Sequence, residues 1–339
     1  MKTDNGEDRP EKGDWELRRA AVVGAGTMGT LLAAVLGRVM PVVLVCRNPD
    51  RASDLFRFGA RAEGLIECSS RPITVSSAGD IPLAGGADVV FVATKTTAIA
   101  SVAEELAPVL KSLDREGRGV YVVSFQNGIE PGRQLMSLMP GARVLRMVLT
   151  LGAVLRDGDA AHAVEVTMNH PPHVIGGPRS SDRGACERIA SALTAGGLET
   201  QCSEDIEVQV WKKAIVNSAM NPVAALVNCT VGEVLAGPSR IIVQRLIDEA
   251  VAVACAEGVN LGDAFVERAI GFLEEARDHT PSMVEDIRGG LESEVGQLNR
   301  QIVRHANRVG VPVLTHEIID ALIETFDWKI YQRAGLVPN

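Results

Sequence analysis

Residues 20–36 read Ala20-Ala21-Val22-Val23, then Gly24-Ala25-Gly26-Thr27-Met28-Gly29, then Thr30 and Leu31-Leu32-Ala33-Ala34-Val35-Leu36. A short apolar strand enters a G-x-G-x-x-G turn and leaves it as an apolar helix. Few chain paths accept that order. The first glycine permits the tight turn, the second lets backbone approach a pyrophosphate, and the third lets the helix lie against the strand. The helix N-terminus then offers free N–H groups and the positive end of its dipole to phosphate. A second apolar strand, Pro41 to Val45, follows at βαβ spacing, so an N-terminal Rossmann-type dinucleotide-binding domain in an α/β protein is predicted.

The end of the second strand reads Val45-Cys46-Arg47-Asn48. An acidic side chain there would accept from the ribose hydroxyls of NAD; a guanidinium suits a 2′-phosphate by charge and by its paired donors, which favours NADPH/NADP+. The alternative is that Arg47 is a surface charge and Asp50 makes the ribose contact, although Asp50 is also placed to cap a helix starting at Arg51. A third strand, Asp88 to Ala93, leads into Thr94-Lys95-Thr96, and a fourth, Gly119 to Phe125, leads into Gln126-Asn127-Gly128. Lys95 and Asn127 therefore share the carboxyl rim of the sheet with the glycine turn, the edge where ligands sit in open parallel sheets. Taken singly, Lys95 reads as a surface lysine and Asn-Gly as a turn.

Val144 to Thr150, Val164 to Met168 and His173 to Gly176 read as further strands continuing the sheet, with a turn at Arg156-Asp157-Gly158-Asp159. Helix Arg183 to Leu193 is followed by a C-cap at Ala195-Gly196-Gly197 and a last crossing from Thr200 to Asp205. The length of 339 residues favours two domains. The expected division is a flexible tail at 1–19, an NADP-binding domain at 20–203 and an all-helical substrate domain at 204–339. Helical periods cover Glu207 to Leu226, Ser239 to Glu257, Gly262 to Arg277, Ser282 to Asn307 and His316 to Lys329. Pro222 should bend or end the first of these, and Ser282 with Glu285 forms a capping box.

The formal charge of −9 and the scattered Lys and Arg leave no basic patch for nucleic acid or an acidic membrane surface. No apolar run reaches the ~20 uninterrupted residues of a membrane span. The six cysteines form no C-x-x-C pair and the His residues lack ligand spacing, so neither a disulfide framework nor a metal site is expected. The charged first nineteen residues lack an apolar core, the pattern of a tail and not of a secretory signal, which points to the cytoplasm.

The candidate site in the second half is Trp211-Lys212-Lys213-Ala214-Ile215-Val216-Asn217-Ser218-Ala219-Met220-Asn221-Pro222. At about 100° per residue, Lys213, Asn217 and Asn221 fall within roughly 80° of one another. One cation and two amides thus form a stripe set in an apolar frame, as in a pocket for a small polar molecule; the plainer reading is an amphipathic helix with incidental asparagines. Further on, Glu292 and Glu294 are two residues apart, so only one can easily face a cleft, and periodicity does not say which.

These residues resemble the ketopantoate reductase (2-dehydropantoate 2-reductase) family. The resemblance rests on Gly24-x-Gly26-x-x-Gly29, Lys95, Asn127-Gly128, Lys213-x-x-x-Asn217-x-x-x-Asn221-Pro222, Ser282-Met283-x-x-Asp286, and Glu294 followed by Leu298-Asn299. It implies reduction of ketopantoate to pantoate with NADPH, on the route to pantothenate and coenzyme A. It also implies Lys213 as general acid, Glu294 as the residue holding the substrate hydroxyl, and Asn127, Asn217, Asn221 and Ser282 as substrate contacts. Together with Arg47 from the strand-end reading above, the expected cofactor set is Gly24, Gly26, Thr27, Met28, Gly29, Lys95, Asn127 and Ala153. Two departures lie on the substrate side: Leu298-Asn299-Arg300 where the family commonly has Leu-Asn-Gly, and Gly290-Leu291-Glu292-Ser293-Glu294 where it has Gly-Arg-x-Thr-Glu. They bear on which 2-keto acid is used more than on the chemistry. The competing readings are a reductase of another 2-keto or 3-hydroxy acid and a non-catalytic NADP(H)-binding sensor. Helical second domains often pair, so a homodimer is compatible with the sequence, which does not decide it.

Overall fold

The computed structural model describes residues 15–114, 117, 119–156 and 162–336; most of the expected tail and the core of the 156–159 turn lie outside them. Within them the strands are β1 Ala20–Val23, β2 Val42–Val45, β3 Ala60–Gly64, β4 Cys68–Ser70, β5 Ile73–Val75, β6 Val89–Val92, β7 Tyr121–Ser124, β8 Arg143–Val148, β9 Leu151–Leu155, β10 Ala163–Asn169, β11 His173–Gly176 and β12 Thr200–Cys202. The helices are α1 Thr27–Leu36, α2 Pro49–Phe58, α3 Ile99–Leu113, α4 Pro131–Leu138, α5 Arg183–Gly196, α6 Ile206–Val227, α7 Val231–Ala236, α8 Arg240–Ala256, α9 Phe265–Glu275, α10 Ser282–Arg288, α11 Asn299–Val309 and α12 Leu314–Arg333.

The apolar strands β1, β2, β6 and β7 are buried on both faces, which is why they read as unbroken Val and Ala runs without alternation. They pair in parallel within an eight-stranded sheet ordered β12-β11-β8-β7-β6-β1-β2-β5, in which β11 runs antiparallel to β8. Leu31, Leu36, Ile189 and Leu193 of α1 and α5 cover one face; Val102, Leu106 and Leu135 of α3 and α4 cover the other.

Several expectations are corrected here. Val164 to Met168 does not extend this sheet. It lies in a second sheet, β4-β3-β10-β9, with Val164 opposite Ala62 of β3. The reason is burial: Ala60, Ala62 and Val166 close over the residues of α1, an apolar surface the main sheet cannot cover. Asp50 is not the helix cap; α2 starts at Pro49 and the Asn48 carboxamide accepts from the Arg51 amide at 3.0 Å. Within the expected tail, Trp15 is buried edge-on to Tyr121 at 5.0 Å between centroids, and the backbone amides of the exposed Arg18 and Arg19 donate to Asp88.

Beyond β12 the described residues form helices around a separate core that includes Trp211, Ile215, Leu246, Ile247, Ile302 and Ile323. Pro222 does not end α6, which runs on to Val227 and stops where Asn228 turns left-handed (φ 56°). A proline inside a helix deprives the carbonyl four residues earlier of its donor. That carbonyl is Ser218 O, and the buried Asn299 amide donates to it at 2.9 Å. The expected helix from Ser282 to Asn307 is two helices, broken at Gly289-Gly290, where Gly290 takes φ 64°. Ser282 is the first residue of α10 and not its cap; Pro281 occupies that position and no capping box forms. No helix among the described residues is long and apolar enough to cross a membrane.

Candidate functional site

The glycine turn joins β1 to α1 at the carboxyl end of the sheet. Gly24 has φ 106°, and a Cβ at Gly29 would stand 1.8 Å from the Gly24 carbonyl oxygen, so neither position accepts a side chain. A Cβ at Gly26 would meet nothing within 4 Å, and no side chain caps the first turn of α1. The turn therefore presents open space and unpaired N–H groups to a phosphate, and fits the pyrophosphate of a dinucleotide. Thr27 and Met28 follow in that turn, half-buried. The Arg51 guanidinium lies along it, its Nε donating to the Ala25 carbonyl and an NH2 group to Thr30 Oγ1 at 2.6 Å.

Arg47, at the end of β2, pairs with Glu105 at 2.5 Å. Burial raises the Glu105 carboxyl, but the Ala78 amide, the Arg47 guanidinium and the Ser77 hydroxyl outweigh it and hold the group below its usual range. Arg47 is exposed and held by the Glu105 carboxylate at the end of β2, on the carboxyl rim of the sheet. Ala153 is on β9, in the second sheet, half-buried and packed against the core cluster that includes the α1 residues.

Across the rim stands α6. Lys213 is only half-buried by surface area, yet so much protein surrounds its ammonium that desolvation, with the Arg146 charge added, outweighs the attraction of Glu294 and brings its pKa down to about 8. Asn217 and Asn221 follow on the same face; Asn221 is buried and Asn217 half-buried. Asn217 Nδ2 donates to Asn127 Oδ1 at 3.4 Å, and Asn127 Nδ2 donates to Glu294 Oε2 at 3.0 Å. The other Glu294 oxygen accepts from Thr96 Oγ1 at 3.1 Å. Lys95, next to Thr96, pairs with Asp286 of α10 at 2.7 Å. His173 of β11 faces the same region, and burial followed by the charges of Lys213 and His170 pushes it down to about 4, so it is neutral.

The structure thus decides between the two carboxylates. Glu294 faces the cleft; Glu292 hydrogen-bonds Tyr331 and pushes that phenol up to about 12. The loop carrying Glu294 is anchored by its neighbour, since Ser293 gives both its amide (2.8 Å) and its hydroxyl (2.7 Å) to the buried Asp327 carboxylate of α12. Ser282 is exposed and makes no hydrogen bond to the other site residues among those described. Sequence reading gave no role to Thr96 or Arg146. Thr96 is a buried hydroxyl one residue past Lys95, at a strand end where such a group is common. Arg146 sits inside a predicted strand and carried no motif.

A doubly covered parallel sheet with a glycine-turn mouth, facing an ammonium, amides and a carboxylate from a helical unit, defines a dinucleotide-dependent oxidoreductase. The chain belongs to the ketopantoate reductase PanE/ApbA family: the family's sequence model matches residues 20–173 and that of its C-terminal part matches residues 205–326. It is 29% identical over 301 residues to a protein of Halobacterium salinarum named 2-dehydropantoate 2-reductase, covering 87% of this chain and 95% of that one. An equally named protein of Archaeoglobus fulgidus is 29% identical over 297 residues, covering 87% and 93%. The crystal structure of a PanE/ApbA family ketopantoate reductase from Ralstonia eutropha superposes with a TM-score of 0.80 at 26% identity, covering 92% of this chain and 99% of that one. A D-mandelate dehydrogenase solved with NADH and anilino(oxo)acetate shares the fold, at TM-score 0.80, 19% identity and coverage of 92% and 99%.

Proposed function

We propose that the chain reduces 2-dehydropantoate (ketopantoate) to (R)-pantoate with NADPH, in the cytoplasm, on the route to pantothenate and coenzyme A. The observation that carries the reading is the Lys213 ammonium on one helix face with Asn217 and Asn221, opposite Asn127 and Glu294. The two units are read as a nucleotide-binding domain ending near Ser203 and a helical substrate domain after it.

Reduced nicotinamide, when bound, supplies the hydride for the keto carbon. As negative charge grows on the carbonyl oxygen, the Lys213 ammonium stabilises it and donates the proton. A pKa near 8 suits that role, because the group is largely charged at neutral pH yet releases its proton more readily than an ordinary lysine. Asn217, Asn221 and Asn127 orient the acid by neutral hydrogen bonds that do not oppose hydride delivery. Glu294 accepts from the developing hydroxyl, and Ser282 is assigned to the substrate carboxylate. Arg47, with Lys95, is assigned to the 2′-phosphate side, alongside the glycine turn.

The test is steady-state reduction of ketopantoate with NADPH and with NADH, beside a panel of other 2-keto acids. The reading expects ketopantoate with NADPH to give the highest kcat/KM. A higher value with an aryl or other 2-keto acid would reassign the substrate. Tight NADPH binding without turnover of any keto acid would replace the enzyme by a sensor.

A further inference from the structure

Arg146 projects from β8 into the gap between the Gln126-Asn127-Gly128 turn and α6. One NH group donates to Ser124 Oγ at 2.7 Å; the other donates to the carbonyl oxygens of Gln126 (3.2 Å) and Gly128 (2.9 Å), the two residues flanking Asn127. Its stem lies so close to Gly132 that a Cβ there would stand 2.3 Å from it. With one nitrogen held by Ser124 and the other bonded to both carbonyls, the guanidinium fixes the plane of the turn between them, and hence the direction of the Asn127 amide that meets Glu294 and Asn217.

The charge is as informative as the fork. All three acceptors are neutral oxygens, and among the described residues no carboxylate hydrogen-bonds to Arg146. The nearest acids are engaged elsewhere: Glu130 with His305 (3.0 Å) and Arg133 (3.2 Å), and Glu207 with Arg133 (2.5 Å). Glu207 and Glu130 favour the Arg146 charge without bonding to it, and that charge in turn acts on Lys213. The other groups facing Lys213 are Glu294, from the loop before α11, and the neutral His173 on β11.

We propose that Arg146 is a positioning residue with two separable effects: its guanidinium aims Asn127 through the two flanking carbonyls, and its charge acts on Lys213. The second effect rests on Lys213 being the proton donor; the first does not. Where Glu294 raises the proton affinity of Lys213, the Arg146 charge lowers it.

The experiment compares Arg146→Gln and Arg146→Lys with the unmodified protein, by kcat/KM against pH and by the pH dependence of Lys213 modification with trinitrobenzenesulfonate, read by peptide mass spectrometry. The labelling requires no turnover, so it tests the charge effect even if the proposed substrate is wrong. For Arg146→Gln the labelling midpoint should move up by about one pH unit, since a nearby like charge is removed. For Arg146→Lys the midpoint should stay, while kcat/KM for the keto acid at neutral pH falls on the order of ten-fold because the two-carbonyl grip is lost. An unmoved midpoint in Arg146→Gln, or an unmoved kcat/KM in Arg146→Lys, overturns the corresponding half. If Arg146→Gln fails to fold by circular dichroism, Arg146→Met replaces it in the charge arm.

Discussion

Replacing Glu294 by Gln tests the site most sharply, because the structure fixes what the change removes. Each carboxylate oxygen accepts one hydrogen bond, from Thr96 and from Asn127. A carboxamide has one acceptor oxygen, so one donor must face its NH2 group and lose its partner. Hydrogen bonds to a charged group contribute about 1.5–3 kcal/mol, and each 1.4 kcal/mol is about ten-fold in rate, so kcat/KM should fall about 10- to 100-fold. The charge change acts separately. Glu294 is the group that raises the Lys213 pKa against desolvation and Arg146. Without it the ammonium loses its proton at lower pH. A proton donor is active below its pKa, so in the unmodified enzyme activity should fall as pH rises through about 8. In Glu294→Gln that alkaline limb should move to lower pH, the opposite direction from Arg146→Gln. The assay is NADPH oxidation followed by absorbance across neutral to alkaline pH. Unchanged kcat/KM together with an unmoved limb would refute the assignment of Glu294 to the reacting cleft.

Other changes have equally definite outcomes. Lys213→Ala should lower kcat by at least ~10²-fold while NADPH binding, read by nucleotide fluorescence, survives; unchanged turnover removes the proton donor from the scheme. Arg47→Ala should erode the ratio of kcat/KM for NADPH over NADH, and an unaltered ratio would shift recognition of the 2′-phosphate to another cation. Asn299→Ala should lower stability to urea by about 1–3 kcal/mol, because it leaves the Ser218 carbonyl freed by Pro222 without a donor in a buried place; an unchanged unfolding midpoint would mean that water or relaxation satisfies that carbonyl.

The parts legible in the sequence were those whose cause is local. The glycine turn dictates its own path, and β1, β2, β6 and β7 are buried on both faces, so their apolar runs stand out. The Lys213, Asn217 and Asn221 stripe needed only helical spacing. What was not legible depends on distant partners. β3, with polar Arg61 and Glu63 in its five residues, becomes a strand by pairing with β10 about a hundred residues away. Periodicity carried a helix through Gly289-Gly290, although the pair itself signalled the break; the apolar spacing of Leu291, Val295 and Leu298 belongs to a loop and the turn before α11. Pro222 marked a break in the helix ladder, but the sequence could not show that Asn299 supplies the missing donor and α6 runs on to Val227. Nor could it choose between Glu292 and Glu294, since that choice is made by Asp327 holding Ser293 between them.

The site groups also hold one another, which shapes how a substrate would enter. Lys95 with Asp286, Thr96 with Glu294, and Asn127 with both Glu294 and Asn217 all join the sheet rim to the helical unit, and Gly128 packs so closely that a Cβ there would stand 2.1 Å from the Gln297 carbonyl oxygen. Under the proposed reaction, a keto acid seated beside Lys213 would exchange some of these contacts for its own. The weakest should yield first. The Asn217–Asn127 bond is long at 3.4 Å, and the Lys95–Asp286 pair is half-exposed on the lysine side, so each contributes little to stability. The two bonds to Glu294 are shorter and charge-assisted and should persist. Exchange there releases the Asn217 amide on the face that bears the ammonium and the Asn127 oxygen opposite it, so the contact that costs least to break is the one that opens the acid's place beside Lys213.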